Sequence, residues 1–362
     1  MSELTRDDIR AAVASGFITE AQAASIVTLS DERRGVRDRM SGLDEPFELF
    51  RGFNEIFIVV GLVILFSGWA GLTGLSFIGS SQGYLLAMLF GCMGAGAMVA
   101  LAAYFTMKRR MVAPSIAIAI MFALSVSQFG LGVAWAFDAE APQELTITAL
   151  ITTLALAVYF IRFRVPFVVA LISIGVFATC FGLVFIGGRF PDNIEDLFLL
   201  SADGPFAILT FVLGIIGFCI AMWFDMGDPH RVMLRSRAGF WLHIIAAPAI
   251  INTVALTLFS VGTILAQTVL VVFVAALAIV AVVIDRRSFL VSGVGYIVAV
   301  AVTLLEDQVF VAILALGLGL VLLGAKWENL RGWMMTRLPD FPGKTRLPPW
   351  SVSSAEPRQV EH

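Results

Sequence analysis

Charged residues are scarce in this 362-residue sequence, making up 14% of it, whereas ordinary soluble domains carry about 25%. Apolar residues reach 59%, above the usual share of about 45–50%. This composition excludes a soluble domain, a nucleic-acid-binding protein and a disordered chain. It indicates a protein that crosses a membrane several times.

Cysteine and histidine are scarce as well, with three residues of each. The cysteines lie inside apolar runs, where a thiol behaves as a small hydrophobic group, and no CxxC spacing occurs. A haem b site needs two histidines within the bilayer, and only His243 qualifies. The sequence therefore predicts no disulfide framework, no metal site and no cofactor.

Signatures of catalysis and of secretion are also missing. The sequence has no G-x-S-x-G nucleophile motif and no glycine-rich phosphate loop. The first 50 residues are polar, so the first apolar run comes too late for a cleavable signal peptide. We therefore expect no catalytic residue and no enzyme activity.

Long apolar runs dominate the sequence from residue 55 onwards. A membrane-spanning helix needs about 20 mostly apolar residues, and ten runs approach or exceed this length. Only residues 306–308 separate the last two runs, so a re-entrant or tightly turned pair stays open there. The predicted fold is an all-α transmembrane bundle of about ten spans, near residues 56–75, 84–106, 113–137, 145–161, 166–187, 205–224, 239–259, 264–284, 289–305 and 309–325.

Basic residues predict the orientation, because the cytoplasmic loops of membrane proteins are enriched in Lys and Arg. With the amino terminus in the cytoplasm, 23 of the 24 Lys and Arg residues fall on the cytoplasmic side, and only Arg189 falls outside. This split predicts an even number of spans with both termini in the cytoplasm.

Polar segments flank the apolar region at both ends. Residues 1–53 predict a helical hairpin that turns at Gly16, followed by an interfacial helix at 43–53. Residues 326–362 predict a second interfacial helix, with Arg331 snorkelling towards the headgroups, and then a proline-rich extended or disordered end. The loop at 226–237 predicts a solvated turn facing lipid headgroups, with a docking site for a cytoplasmic partner as the alternative.

The predicted spans contain no Asp, Glu, Lys or Arg away from their ends, which argues against an ion-coupled carrier and against a voltage sensor. His243 precedes the helix-kinking Pro248 by about one turn and has either a packed role or a role in ligand contact or pH sensing. The other uncharged polar residues either bond neighbouring helices or line a path for a solute. The candidate ligand-binding residues are Gln128, His243, Asn252 and Gln267.

Two tracts carry a resemblance to known proteins. Residues 16–22, ahead of a polytopic region, resemble the helical hairpin that opens many uncharacterised, predicted bacterial inner-membrane proteins. Asp228-Pro229 and residues 240–248 are similar to a segment of such proteins. The resemblance implies a multi-pass protein of the bacterial inner (plasma) membrane, and it implies no activity.

Two functions remain open from the sequence. The first is binding or passage of a small neutral solute or lipid, which the polar side chains and the kinked seventh span favour. The second is a non-catalytic membrane scaffold or assembly partner, which the uncharged spans and their small-residue faces favour. The expected partners are the lipid bilayer and either a second copy or another membrane protein, and not nucleic acid.

Overall fold

The computed structural model describes residues 6–33, 53–75, 82–202, 204–231, 233–287, 293, 295, 296, 298 and 309–350. Within these residues the regular secondary structure is helical throughout and no strand occurs. Eight helices are long and apolar enough to cross a membrane. The chain is therefore an all-α polytopic helical bundle, as its composition predicts.

A short helical hairpin comes first. Helices α1 (Arg6–Ala14) and α2 (Glu20–Arg33) flank Gly16, which adopts a positive φ of 75° that glycine tolerates without strain. At the start of α2 the Thr19 hydroxyl accepts a hydrogen bond from the Gln22 N–H (3.2 Å), and the Gln22 side chain accepts one from the Thr19 N–H (2.9 Å). This capping box fixes where the second helix begins.

The first eight predicted spans correspond to eight observed helices. The fourth begins four residues earlier than predicted, because Glu140 and Gln143 form a capping box ahead of it. The helices are α3 (Phe53–Leu75), α4 (Gly83–Ala102), which continues into a π-helix (Ala103–Lys108), α5 (Val112–Ala136), α6 (Ala141–Phe163), α7 (Val168–Ile186), α8 (Phe206–Met226), α9 (Leu234–Val261) and α10 (Ile264–Ile284).

The ninth predicted span, 289–305, falls almost entirely outside the described residues, so the count of ten stays a prediction. The tenth is α11 (Val309–Ala325), an apolar helix of 17 residues, and α12 (Trp327–Arg337) follows it. The interfacial helix predicted at 43–53 also lies outside the described residues, apart from Phe53 at the start of α3.

The chain divides into two compact units. The amino-terminal unit holds residues 47–197 and 202–213, which include α3 to α7 and the start of α8. The carboxy-terminal unit holds residues 214–362 together with 1–46 and 198–201. Each candidate site described below lies within a single unit.

Glycine allows two close contacts between helices α4 and α5 of the amino-terminal unit. A Cβ atom on Gly91 of α4 would lie 2.5 Å from the Phe129 backbone nitrogen of α5. A Cβ on Gly132 of α5 would lie 2.7 Å from the Tyr84 carbonyl oxygen of α4. Small residues let two helix backbones approach in this way, and the approach brings polar groups on α5 close to their neighbours.

Candidate functional site

The four residues proposed from the sequence divide between the two units. Gln128 lies on α5 of the amino-terminal unit, while His243 and Asn252 on α9 and Gln267 on α10 belong to the carboxy-terminal unit. His243 is fully buried, Gln267 is buried and Asn252 is half-buried. The surroundings of Gln128 and of His243 differ in kind.

Four polar atoms in the amino-terminal unit are buried and have no hydrogen-bond partner among the described residues. A polar group left unpaired in a membrane span costs several kcal/mol, so each of these atoms is a place where a hydrogen-bonding molecule would gain free energy. The four are the Trp69 Nε1, the Gln128 Nε2, the Thr148 Oγ1 and the Tyr159 hydroxyl.

Two of these atoms belong to side chains close to Ser125 in the structure or on the same helix face. A Cβ atom on Gly94 would lie 2.8 Å from the Ser125 Oγ and 3.1 Å from the Trp69 Nε1, so the missing side chain of Gly94 makes room for both groups. Ser125 donates its hydroxyl hydrogen to the Met121 carbonyl oxygen (2.9 Å). Gln128 lies three positions after Ser125, on the same side of α5.

The other two atoms belong to a row of polar side chains between α5 and α6, the polar track, formed by Ser127, Thr148, Thr152 and Tyr159. Thr148, Thr152 and Tyr159 share one face of α6 and extend over about 16 Å of its length at 1.5 Å per residue. The hydroxyls of Ser127 and Thr152 lie 3.0 Å apart and share a hydrogen bond. Tyr159 packs its ring against Phe122, with ring centres 4.7 Å apart.

The carboxy-terminal unit contains a different arrangement, a group of buried ionisable side chains that sequence reasoning missed apart from His243. We call it the charge cluster. Its members come from the end of α8, the loop that follows, α9, the end of α10 and α12. They are the buried Asp225, His243, Asp285, Arg286 and Arg331 and the partly buried Arg231.

Asp225 forms the centre of the first half of the cluster. Its Oδ1 accepts from the Arg286 Nη2 (2.6 Å) and its Oδ2 from the Arg286 Nε (3.0 Å), while the His243 Nε2 lies 2.9 Å from Oδ2. The side chains of Asp225, Arg286 and His243 are only 4%, 2% and 0% exposed. A Cβ atom on Gly239 would lie 2.6 Å from the Asp225 Oδ1, so glycine is required there.

Asp285 forms the centre of the second half and adopts a positive φ of 58° where α10 ends. Its Oδ1 accepts from the Trp327 indole N–H (2.7 Å), and its Oδ2 forms an ion pair with the Arg231 Nη1 (2.8 Å). Burial by itself would raise the pKa of Asp285, but the attraction of Arg231 and Arg331 and the bond from Trp327 outweigh it and lower the pKa. The carboxylate is therefore held in its charged form.

Arg331 corrects the expectation that its side chain snorkels towards the headgroups. Its guanidinium is buried, not snorkelling, and donates to the backbone oxygens of Val282 (3.2 Å), Pro348 (2.6 Å) and Pro349 (2.7 Å). Burial lowers the pKa of Arg331 to about 10, and Asp285 partly offsets this. Residues 339–350 pack against α12 with Leu347 buried, because these carbonyl groups solvate the arginine.

The loop after α8 also differs from the predicted solvated turn. Asp228 is 1% exposed, and its Oδ2 accepts from the Met233 N–H (2.8 Å). Burial and the nearby Asp228 carboxylate raise the pKa of Glu20, which Arg235 partly counteracts. The loop is thus folded into the carboxy-terminal unit beside the start of α2.

The carboxylates of the charge cluster are paired from within, whereas the buried Arg231 Nε has no hydrogen-bond partner among the described residues. Each carboxylate oxygen of Asp225 and Asp285 lies within 3.0 Å of a nitrogen atom of Arg286, Trp327 or Arg231. Buried ions of this kind persist only when they are paired and hydrogen-bonded. The cluster therefore fastens α8, α9, α10 and α12 to one another.

Two further observations bear on identity. Among the residues that the structure describes, no group of three or more His, Cys, Asp or Glu side chains is arranged to hold a metal ion. The two halves of the charge cluster supply one histidine and two carboxylates, and arginine or tryptophan nitrogens contact both carboxylates. No protein-family model, no curated protein and no solved structure matches this chain.

Proposed function

We propose that this membrane protein binds a small neutral solute or lipid within its amino-terminal unit and passes it along the polar track. The observation that carries the proposal is the set of four buried polar atoms without hydrogen-bond partners in that unit. A ligand that bonds to them would remove the free-energy cost of leaving them unpaired inside a membrane.

The chemistry of these four groups indicates the kind of ligand. The Trp69 indole and the Gln128 amide nitrogen only donate hydrogen bonds, whereas the hydroxyls of Thr148 and Tyr159 either donate or accept. No Asp, Glu, Lys or Arg occurs in residues 113–137 of the sequence. This stretch includes all of α5 except its first residue. Donors without charge favour a neutral molecule that carries hydroxyl, carbonyl or ester oxygens.

Flux through reconstituted vesicles tests the proposal, with glycerol as the first probe and urea and other neutral solutes after it. Protein-containing vesicles should re-swell faster in stopped-flow light scattering than empty ones, and Gln128→Leu should remove at least half of that increase. The control is Thr179→Val, because the Thr179 hydroxyl already bonds the Gly175 carbonyl of its own helix (2.8 Å).

Two results would count against this function. The first is a pair of negative findings: empty and protein-containing vesicles re-swell equally fast with every solute, and the wild type retains no more lipid than Gln128→Leu does. The second is an increase in flux that Gln128→Leu and Thr179→Val leave equally intact. The first result favours the scaffold instead of the carrier, and the second refutes passage through the site at Gln128.

We further infer that the protein is not an enzyme, that it belongs to the bacterial inner membrane and that both termini face the cytoplasm. The distribution of 23 of its 24 basic residues supports this orientation. A reporter fused after Glu140 should be external, and one fused after Arg287 should be cytoplasmic. The opposite pair of locations would refute the orientation.

A further inference from the structure

Two basic turns of the amino-terminal unit lie side by side. Lys108 and Arg109 end the π-helix after α4, while Arg162 and Arg164 lie at the end of α6. The Arg162 Nη1 lies 2.8 Å from the Met107 sulfur, although the two residues are 55 positions apart in the sequence. Folding thus places four exposed cationic side chains in one region of the surface.

The four cations have no acidic partner within the part of the chain that the structure describes. Among the residues that the structure describes, no carboxylate lies within 4.0 Å of Lys108, Arg109, Arg162 or Arg164. Glu55, a carboxylate of the same unit, is buried and accepts a hydrogen bond from the Ala113 N–H at the start of α5 (3.3 Å). The carboxy-terminal unit, in contrast, pairs its buried arginines with aspartates.

Tyr104 holds two of the cations close together. The Arg109 Nε donates to the Tyr104 hydroxyl (3.1 Å), and the Arg109 and Lys108 charges lie 5.6 Å and 5.8 Å from the centre of the Tyr104 ring. Tyr104 belongs to the π-helix, a rare form that occurs frequently at functional sites. Two positive charges held this close repel each other, and a bound anion would relieve that repulsion. The arrangement therefore favours an anion-binding site.

We propose that these two turns bind the phosphate group of an anionic phospholipid. A phosphate accepts hydrogen bonds and charge from several cations at once, and basic pockets between membrane helices are suited to anionic headgroups. Val158 and Ile161, one turn or less before Arg162, are 67% and 75% exposed and supply an apolar surface for the acyl chains. This site is independent of the neutral solute proposed above.

The test measures lipid binding by the purified full-length protein in detergent. Phosphatidylglycerol should raise the thermal unfolding midpoint and stay bound in native mass spectrometry, and phosphatidylcholine should do neither. The affinity for phosphatidylglycerol should fall at least fivefold in the double variant Arg109→Gln/Arg162→Gln and decline with added salt. Arg189→Gln, the same change at an exposed arginine in the loop after α7, should leave it unchanged.

The controls separate lipid from free anion and from misfolding. The double variant Arg109→Lys/Arg162→Lys keeps both positive charges. If the double Gln variant loses binding because it loses charge, the double Lys variant should retain most of the binding. Equal affinity of wild type and the double Gln variant for phosphatidylglycerol would overturn the site. Inorganic phosphate that reproduces the full stabilisation would overturn its assignment to a lipid.

Discussion

The two units bury polar groups in opposite ways. In the carboxy-terminal unit, full charges at Asp225 and Asp285 are surrounded by arginine, histidine and tryptophan nitrogens that satisfy them. In the amino-terminal unit, uncharged groups such as Gln128 and Trp69 are buried with no partner among the described residues. The buried carboxylates are all paired, although the Arg231 Nε of the same cluster has no hydrogen-bond partner among the described residues, and the buried neutral groups are left open.

This difference separates structural polar groups from groups available to a ligand. A buried ion without compensation costs far more than a neutral amide or hydroxyl, so charges inside a fold must be paired before the protein is stable. A neutral donor can stay unpaired at a cost of about 1–3 kcal/mol. This difference in cost supports a structural role for the charge cluster and is the basis for the proposal that the neutral groups bind a ligand.

The largest effect should come from breaking the charge cluster. Arg286→Gln leaves the Asp225 carboxylate buried without its bidentate partner, and removing one member of a buried ion pair costs about 3–5 kcal/mol. The free energy of unfolding, measured by SDS titration in mixed micelles, should fall by this amount. Arg287→Gln, at the exposed neighbouring arginine whose charge lies 5.3 Å from the Trp327 ring centre, should change it by no more than about 1 kcal/mol, the size of an exposed cation–π contact. Equal losses in the two variants would contradict a structural role for Arg286.

The next effect should come from crowding Asp225. Gly239→Ala introduces a methyl group 2.6 Å from the Asp225 Oδ1, and overpacking of this kind costs about 1–3 kcal/mol. Gly217→Ala on α8 is the matched control, because its Cβ atom would lie an ordinary 3.5 Å from the Ala246 Cβ. The same SDS titration should show a loss for the first variant and none for the second. A stabilised Gly239→Ala would mean that the Asp225 contacts differ from those described.

An effect of similar size should come from the second half of the cluster. Trp327→Phe removes the indole N–H that bonds the Asp285 Oδ1, and an acceptor left short of a partner costs about 1–3 kcal/mol. Trp333→Phe, at a side chain that is 56% exposed, should cost less. If both variants unfold with the same free energy, the Trp327 bond contributes nothing measurable.

The sequence predicted the helices well because their cause is local. A run of about 20 apolar residues spans a bilayer wherever it occurs, and the first eight predicted spans correspond to observed helices. Thr19 and Gln22 likewise define a helix start through bonds that reach only three residues.

The charge cluster escaped prediction because its cause is not local. Asp225 follows the predicted end of its span by one residue, and its partners His243 and Arg286 lie 18 and 61 residues further on. Basic residues at helix ends indicate orientation whether they are exposed or buried, so Arg286 was interpreted only as an orientation signal. The hint in the sequence is that two acids, Asp225 and Asp285, lie at helix ends that are followed by basic residues.

The neutral site was predicted in part. Gln128 is an evident polar residue in an apolar span, so the sequence alone selected it. Trp69 was not selected, because an aromatic ring in a span is ordinary and its unpaired indole nitrogen becomes visible only once Gly94 and Ser125 are packed beside it. Periodicity does not show which polar atoms remain without partners.

One variant tests most directly the claim that the unpaired neutral groups serve a ligand and not the fold. Gln128→Leu removes a buried donor that has no partner among the described residues, so the free energy of unfolding should stay the same or rise, while the protein-dependent part of the glycerol re-swelling rate should fall at least twofold. A loss of more than about 2 kcal/mol of stability with an unchanged re-swelling rate would contradict the account, because Gln128 would then be a structural residue.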